Sequence, residues 1–459
     1  MGYREATAAH PHRPPCEVRE PMPAYGKKRV EPAANRLQDN DRPVHGWYRF
    51  VLSFPPHLVR TYMDRFDVGD GRIVLDPFCG TGTTLVEAKK VGAGCLGIEA
   101  NPLAHFASRV KLDWTPDPDG LEARAARIAE EATGCLGADG VTDEPPLFVA
   151  DEARDGLRGL PPEADKLLLA NSISPLPLHK ALVLLDCLDS QAGPLFRDHL
   201  RLAFADSIVN ASSNLRFGPE VGLGVVRSDA PVIAPWLVRV RRMADDLRRV
   251  AANGGAIATA HLGDAREVDR LLQSRVVDAV ITSPPYPNEK DYTRTTRLES
   301  VLLGFIRDKA SLRHFKHGLV RSNTRGVYRD DTDHAWVADD PEIRRISREI
   351  EERRIALGKT SGFERMYHRV VPLFFGGLAR HLAGLRAVLR PGAQLAYVVG
   401  DQASYLRVMI RTGQLLASIA GRLGYEVVDV DLFRTRFATA TAEELREEVV
   451  ILRWRGTPS

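Results

Sequence analysis

The sequence predicts an α/β fold: a doubly wound, mostly parallel sheet of seven strands, interrupted by a largely helical insertion. Three observations lead there. A strand-turn-helix-strand run is legible in "RIVLDPFCGTGTTLVEAKKVGAGCLGIEA"; strand and helix alternate again from residue 253 to the end; and the stretch between is rich in Leu and Ala without strand patterning. Parallel neighbours need a crossover long enough for a helix, so repeated alternation reads as a parallel sheet.

Taken in order, residues 1–40 combine Pro, Arg, Glu and Ala without periodicity and are expected to form a mobile tail. Pro56 suits the first turn of a helix. A strand is expected from Ile73 to Leu75, a helix over about Thr83 to Val91, a strand from Cys95 to Ile98, and a further helix. After Trp114 the alternation stops. In that stretch Trp236, Val240, Met243, Leu247 and Val250 share one helical face. Arg239, Arg241, Arg242, Arg248 and Arg249 lie mostly off that face, as a solvated surface or a stripe that touches nucleic acid.

Alternation resumes with "AIATAHLGDA" and "VVDAVITSPPY". Pro284 and Pro285 donate no ladder hydrogen bond, so the strand Val276 to Thr282 must end before them. An Arg-rich second insertion follows from about Phe305 to Gly362. The chain then reads as a helix from Tyr367 to Leu389 ended by Arg-Pro-Gly, a strand from Gln394 to Asp401, a helix from Tyr405 to Leu423, and strands from Tyr425 to Phe433 and Glu447 to Trp454. The catalytic body is thus expected over 41–114 and 253–459, with insertions at 115–252 and 305–362.

Composition narrows the partners. The 459 residues carry a formal charge of +3, which permits nucleic acid without demanding it. Five scattered cysteines without a Cys-x-x-Cys pair argue against a disulfide framework or a zinc site, and for a reducing, cytoplasmic setting. No apolar run approaches the roughly 20 residues of a membrane span, and no secretory signal is expected. Neither a membrane nor a metal is therefore an expected partner.

In open parallel sheets ligands sit beyond the carboxyl ends of the strands. "DPFCGTG" follows the first core strand, and Gly80 and Gly82 allow close backbone approach to a ligand. Glu99 ends the next strand about twenty residues on, where a carboxylate accepts two ribose hydroxyls. A dinucleotide fingerprint needs a third glycine where Leu85 stands, and no phosphate-binding Gly-x-x-x-x-Gly-Lys loop is present. The remaining ligand carries ribose and adenine but no phosphate.

"LDPFCGTGTTLVEA" followed by "TSPPY" resembles the S-adenosylmethionine-dependent amino-methyltransferases of DNA, specifically the cytosine-N4 type. The resemblance covers the β-α-β segment and most of the region from His261 onward, and implies a Rossmann-like methyltransferase fold with S-adenosylmethionine as cofactor and double-stranded DNA as partner. It implies cofactor contacts at Asp76, Pro77, Phe78, Gly80, Gly82, Thr83, Glu99 and Asp264. Asp264 equally suits a helix N-cap. "FPPHL" near Phe54 resembles the segment packing on the methionine end, and its prolines equally suit a helix start.

An exocyclic base amine is a weak nucleophile because its lone pair is delocalised into the ring. The resemblance implies that Ser283 and the Pro284 carbonyl accept the amine's hydrogens, with Pro285 holding the turn and Tyr286 offering an aromatic face to a flipped base. Asn288, Asp291 and Tyr292 follow at the family's spacing as substrate contacts. Ser283 stands where adenine-N6 enzymes usually carry Asp or Asn. Two departures matter. The Ser-Pro-Pro-Tyr block comes after the glycine block, which makes 115–252 the candidate for target recognition. The glycine block alone also resembles tRNA guanosine-N2 methyltransferases. Adenine-N6 DNA methylation, RNA base methylation and an inactive nucleic-acid-binding module are the alternatives. A restriction-modification or defence setting is expected, with a cognate nuclease as partner or none for an orphan enzyme. "LVRSNTRGVYRDD" is expected to contact the nucleic-acid backbone or the flipped strand.

Overall fold

In the computed structural model, residues 37–49, 53–144, 156–217, 221–250, 256–274, 276–438 and 443–456 are described. The tail expected over 1–40 falls mostly outside them. Among them nine strands form two sheets: β1 (Ile73–Asp76), β2 (Gly94–Glu99), β3 (Leu215–Phe217), β4 (Val221–Leu223), β5 (Ala258–Leu262), β6 (Val277–Thr282), β7 (Leu389–Gly400), β8 (Glu426–Ala438) and β9 (Glu443–Arg453). The main sheet has seven strands in the order β5-β2-β1-β6-β7-β9-β8, and β3-β4 is a separate antiparallel pair. The strands from β5 to β7 pair in parallel, while β9 runs antiparallel to both its neighbours.

From β1 the chain builds outward through β2 to β5, then returns to the other side of β1 as β6. The switch point therefore lies between β1 and β6, where an open α/β sheet leaves a crevice. Both sequence motifs, after β1 and after β6, open onto it.

Among the described residues fifteen α-helices complete the fold. The body carries α1 (Pro56–Arg65), α2 (Thr83–Lys90) and α3 (Pro102–Leu112). The first insertion holds α4 (Pro118–Ala138), α5 (Pro162–Asp165), α6 (Pro175–Gln191), α7 (Gly193–Ser207) and α8 (Ile233–Val250). Beyond it come α9 (Val268–Leu272), α10 (Tyr292–Thr295), α11 (Arg297–Leu302), α12 (Lys309–His317), α13 (Pro341–Ala356), α14 (Tyr367–Leu385) and α15 (Thr412–Arg422). No helix among the described residues is long and apolar enough to cross a membrane.

Strand alternation explains the two-sided packing. Leu75, Val280, Leu395 and Tyr397 meet α14 and α15 on one face, whereas Val74, Ala279, Ile281, Ala396 and Val398 meet α1 and α2 on the other. The first insertion is mainly helical as expected, with the β3-β4 hairpin as an addition. Trp236, Val240, Met243, Leu247 and Val250 of α8 are all buried, and they share one cluster with Leu103, Phe106 and Val110 of α3. The insertion's core is thus continuous with the body. Arg239 pairs with Asp206, and Arg248 with Asp119, Glu122 and Asp245, while Arg241, Arg242 and Arg249 are exposed.

Strands β8 and β9 extend beyond the expected Phe433 and Glu447, to Ala438 and Glu443, and two further boundaries differ for a backbone reason. Helix α14 stops at Leu385, and Arg-Pro-Gly lies inside β7, where the pairing with β6 shifts register between Val277 and Ala279. Gly392 absorbs the bend with φ +89° and donates its N–H to the Trp454 carbonyl at 2.6 Å. Helix α15 begins at Thr412, not Tyr405, because Leu406 and Arg407 have φ of +53° and +63°, which no right-handed helix accommodates.

The second insertion is anchored where α14 comes against the Asp333 backbone. A Cβ at Gly376 would collide with the Asp333 carbonyl. In an open helix Gly→Ala stabilises by about 1 kcal/mol. Here overpacking outweighs that gain, so Gly376→Ala should lower stability by about 1–3 kcal/mol. Thermal unfolding checks it, and an unchanged or raised Tm would show that the contact yields.

Candidate active site

The ends of β1 and β6 are joined by one buried hydrogen bond, from the Thr282 hydroxyl to Asp76 Oδ1 at 2.6 Å. The same oxygen accepts the Phe78 N–H at 3.1 Å, which pins the start of the glycine turn. Behind it the Thr84 hydroxyl of α2 donates to the Ile281 carbonyl at 3.0 Å. Burial pushes Asp76 up to about 6, against the hydrogen bonds that favour its charge.

A cavity of about 330 Å³ opens above this junction. Pro77, Phe78, Gly80, Thr83, Glu99 and Asp264 line one side. Ser283, Pro284, Pro285, Tyr286, Asn288, Asp291 and Tyr292 line the other. Two expected ligand contacts stand apart. Asp76 is fully buried and supports the turn from behind, outside the cavity lining. Gly82 is likewise not in the lining: it caps α2 with φ +87°, and a Cβ there would press on Ser108 of α3 at 3.1 Å.

The glycine turn has the form of a cradle. Gly80 has φ +52°, and a Cβ on it would meet no atom within 4 Å. Its N–H donates to Glu99 Oε2 at 2.8 Å, while the Asn101 N–H donates to Oε1 at 2.7 Å. Each Glu99 oxygen keeps a lone pair for a further donor. Burial raises Glu99 to about 7, opposed by those backbone hydrogen bonds. Phe78 sets its ring edge-on against His381 at 5.1 Å. His381 is neutral, since burial lowers it to about 4. Its Nδ1–H therefore donates to the Ala265 carbonyl at 2.8 Å, and Nε2 accepts from the Tyr397 hydroxyl at 2.7 Å.

Asp264 lines the cavity and caps the short helix at Ala265–Glu267 through the Arg266 N–H at 2.9 Å. Its carboxylate also takes the Arg266 guanidinium, at 2.7 Å from Nη2. Arg266 is buried and reaches on to Asp333 at 2.5 Å and the His317 carbonyl at 2.8 Å. It ties the end of β5 to the second insertion.

On the opposite wall the Ser283 hydroxyl donates to the Val398 carbonyl of β7 at 3.1 Å. With its proton so used, the oxygen presents lone pairs to an incoming N–H donor. Tyr286 packs its ring on Gly400, where a Cβ would come within 2.9 Å of Cε2. Its N–H donates to the Tyr292 hydroxyl at 3.2 Å. Asn288 folds back on the loop, its Oδ1 accepting the Lys290 N–H at 3.3 Å. Asp291 is occupied structurally: it caps α10 through Thr293 and pairs with Lys316 at 2.9 Å. Burial alone would raise its pKa, and Lys316 and Thr293 outweigh that and lower it.

Several lining residues escaped the sequence reading. Phe315, Lys316 and Gly318 join Leu319 to Asn323, the start of the run expected to contact nucleic acid, in bringing the second insertion into the wall. Within it Arg321 is buried and paired with Asp331 at 2.7 Å, and Tyr328 stacks on His317 at 3.9 Å. Those two residues hold the loop together instead of reaching outward. Phe433, Arg434 and Glu447 of β8 and β9 close the mouth, with Arg434 gripping Glu447 at 2.5 and 2.8 Å. No motif marks them. Ser53 and Phe54 also line the cavity, while Pro56 opens α1. Asp401, outside the lining, pairs with Arg411 at 2.7 Å. Among the described residues no cluster of three His, Cys, Asp or Glu is placed to hold a metal.

Comparison with known proteins agrees with this geometry. A family profile described as DNA methylase, of the N6/N4 type, matches residues 33–107, which include the glycine turn and Glu99. The type II methyltransferase M.BsoBI of Geobacillus stearothermophilus is 24% identical over 451 residues, spanning 91% of this chain and 84% of that protein. M.AvaI of Nostoc is 30% identical over 157 residues, 33% of this chain and 31% of its own length. M.MjaII of Methanocaldococcus jannaschii is 38% identical over 76 residues, 16% of this chain and 14% of its own length. The chain is thus similar, over most of its length in one case, to DNA methyltransferases of the N4/N6 class.

That class implies S-adenosylmethionine, and the cavity fits it. The open space before Gly80 and the spare lone pairs of Glu99 suit a ribose diol, and the apolar faces of Phe78 and Ile98 suit an adenine. Glu99→Ala should weaken S-adenosylmethionine binding about 10- to 100-fold, as expected for losing hydrogen bonds to a charged acceptor. Because Glu99 sits near 7, its ionised form grows from pH 6 to 8 and the affinity should strengthen over that range. Calorimetry on the wild type, Glu99→Ala and Glu99→Gln checks both points. A pH dependence that persists in Glu99→Gln would assign it to another group.

Proposed function

We propose that this protein methylates the exocyclic N4 amine of cytosine in double-stranded DNA, acting on a base drawn out of the helix. The observation that carries this reading is the Ser283 hydroxyl, which donates to Val398 and so faces the cavity as an acceptor. Ser283, together with the carbonyl of Pro284, receives the two amine hydrogens and turns the nitrogen lone pair toward the methyl donor. S-adenosylmethionine, when bound, supplies an electrophilic methyl group on a sulfonium. Pro284 and Pro285 keep the acceptors fixed, so little reorganisation is needed as the amine becomes tetrahedral. Tyr286, braced on Gly400, offers its ring to the extruded base.

The first insertion, 115–252, is the proposed target-recognition region. The relatives designated type II methyltransferases support a restriction-modification setting, with a cognate nuclease as the partner.

Expression in a host lacking DNA methylation, followed by nucleoside mass spectrometry, tests the reading. N4-methylcytosine is expected. N6-methyladenine would overturn the choice of base, and unmodified DNA with methylated RNA would overturn the choice of polymer. Ser283→Ala should slow methyl transfer by about 10²-fold while leaving S-adenosylmethionine affinity near wild type. Loss of cofactor binding in that variant would show the roles to be misassigned.

A further inference from the structure

A second cavity, of about 240 Å³, adjoins the first and shares Asp291 and Lys316 with it. It lies between the first insertion and the segment that follows the Ser-Pro-Pro-Tyr turn. Leu167, Leu169, Leu215 and Leu298 give it an apolar side. Its polar side is unusual in charge. Three cations, Lys316, Arg294 and Arg297, face the single carboxylate of Asp291, which pairs with Lys316 at 2.9 Å and also acts electrostatically on Arg297, while Arg294 makes no ion pair with any described residue.

Arg297 is tied to neutral acceptors only: the Thr293 carbonyl at 3.1 Å, the Thr293 hydroxyl at 2.7 Å and the Leu167 carbonyl at 3.3 Å. The Arg294 side chain makes no hydrogen bond to any described residue. A further observation is independent of the charges. Ser172 lines the same cavity at 3% exposure, and its hydroxyl has no hydrogen-bond partner among the described residues. Buried hydroxyls are rarely left so, and a net excess of positive charge beside one, with the Arg294 guanidinium unpaired, is suited to a ligand that is anionic and accepts hydrogen bonds.

We propose that this cavity holds the nucleotide next to the target base, its phosphate on Arg294 and Arg297, its sugar and base against the leucines, and Ser172 donating to it. The assignment rests on the DNA-methylating reading above and extends it. Phosphate contacts fix the register of the strand, while an enclosed base beside the target is read for identity. The pocket therefore couples the first insertion to the catalytic turn through the bound strand. Arg297 bridges the two parts of the protein even without ligand, whereas Arg294 can be replaced without breaking an internal bond.

The test uses the full chain and its Arg294→Ala and Arg294→Lys variants. Duplex DNA carrying the site mapped in methylated host DNA is titrated by fluorescence anisotropy across a KCl series, with S-adenosylmethionine affinity measured alongside. In Arg294→Ala the slope of log affinity against log salt should shrink by about 1, and the affinity should fall about tenfold. Arg294→Lys should restore the slope, and cofactor affinity should be equal in all three. Unchanged DNA affinity and slope in Arg294→Ala would overturn the pocket's assignment and leave the methylation reading standing. Cytidine monophosphate binding that depends on Arg294, with DNA binding unaffected, would make it a free-nucleotide site and overturn it as well. A wild type that neither modifies host DNA nor binds duplex would fail the methylation reading first, and the pocket's assignment with it.

Discussion

The hydrogen bond from Thr282 to Asp76 is the contact on which the rest of the site depends. It joins the carboxyl ends of β1 and β6, neighbours in the sheet but separated by the whole first insertion in the chain. Being buried, it forms only when both strands are in register. A carboxylate taken out of water without such a partner costs several kcal/mol, so the pairing is strongly selected. Once it is made, the glycine turn and the Ser-Pro-Pro-Tyr turn face each other across one cavity. Ser283 then reaches the third strand, β7, through Val398.

The walls of that cavity are less local. Arg266 draws the second insertion onto the end of β5 by pairing with Asp264 and Asp333 together. A buried guanidinium needs both acids, because its desolvation exceeds what one exposed pair returns. Gly376 lets the Asp333 backbone approach α14 at the same place. The Arg434–Glu447 pair at the mouth comes from the antiparallel end of the sheet, where β8 and β9 run on past β7. Cofactor cradle, catalytic turn and mouth are therefore held by different elements, each anchored by a charge pair or a missing Cβ.

The first insertion shares a core with α3, the helix that follows Glu99 and Asn101. Asn101 caps α3 and donates to the Thr296 hydroxyl at 3.2 Å, next to Arg297, whose guanidinium reaches Leu167 of the insertion. The cofactor side, the segment after the catalytic turn and the insertion are thus in physical contact. Asp246 closes the other end by accepting from the Trp47 indole and the Val44 N–H.

The sequence by itself determined the parts that depend on near neighbours. Strand periods, the stop imposed by Pro284 and Pro285, the glycine turn, Glu99 at a strand end and the buried face of α8 are consequences of backbone sterics and side-chain spacing, and they were legible. All but two of the site residues that the resemblance in two short blocks singled out lie in the lining of one cavity. Only the tertiary structure decided that Asp76 and Gly82 support the turn from outside the lining, that Asp291 and Arg321 are spent on internal pairs, and that Arg434 and Glu447 guard the mouth. Likewise Arg-Pro-Gly bends a strand instead of ending a helix. The physical reason is common to all of these: each turns on which groups far apart in the chain come within hydrogen-bonding distance, and local pattern carries no record of that partner.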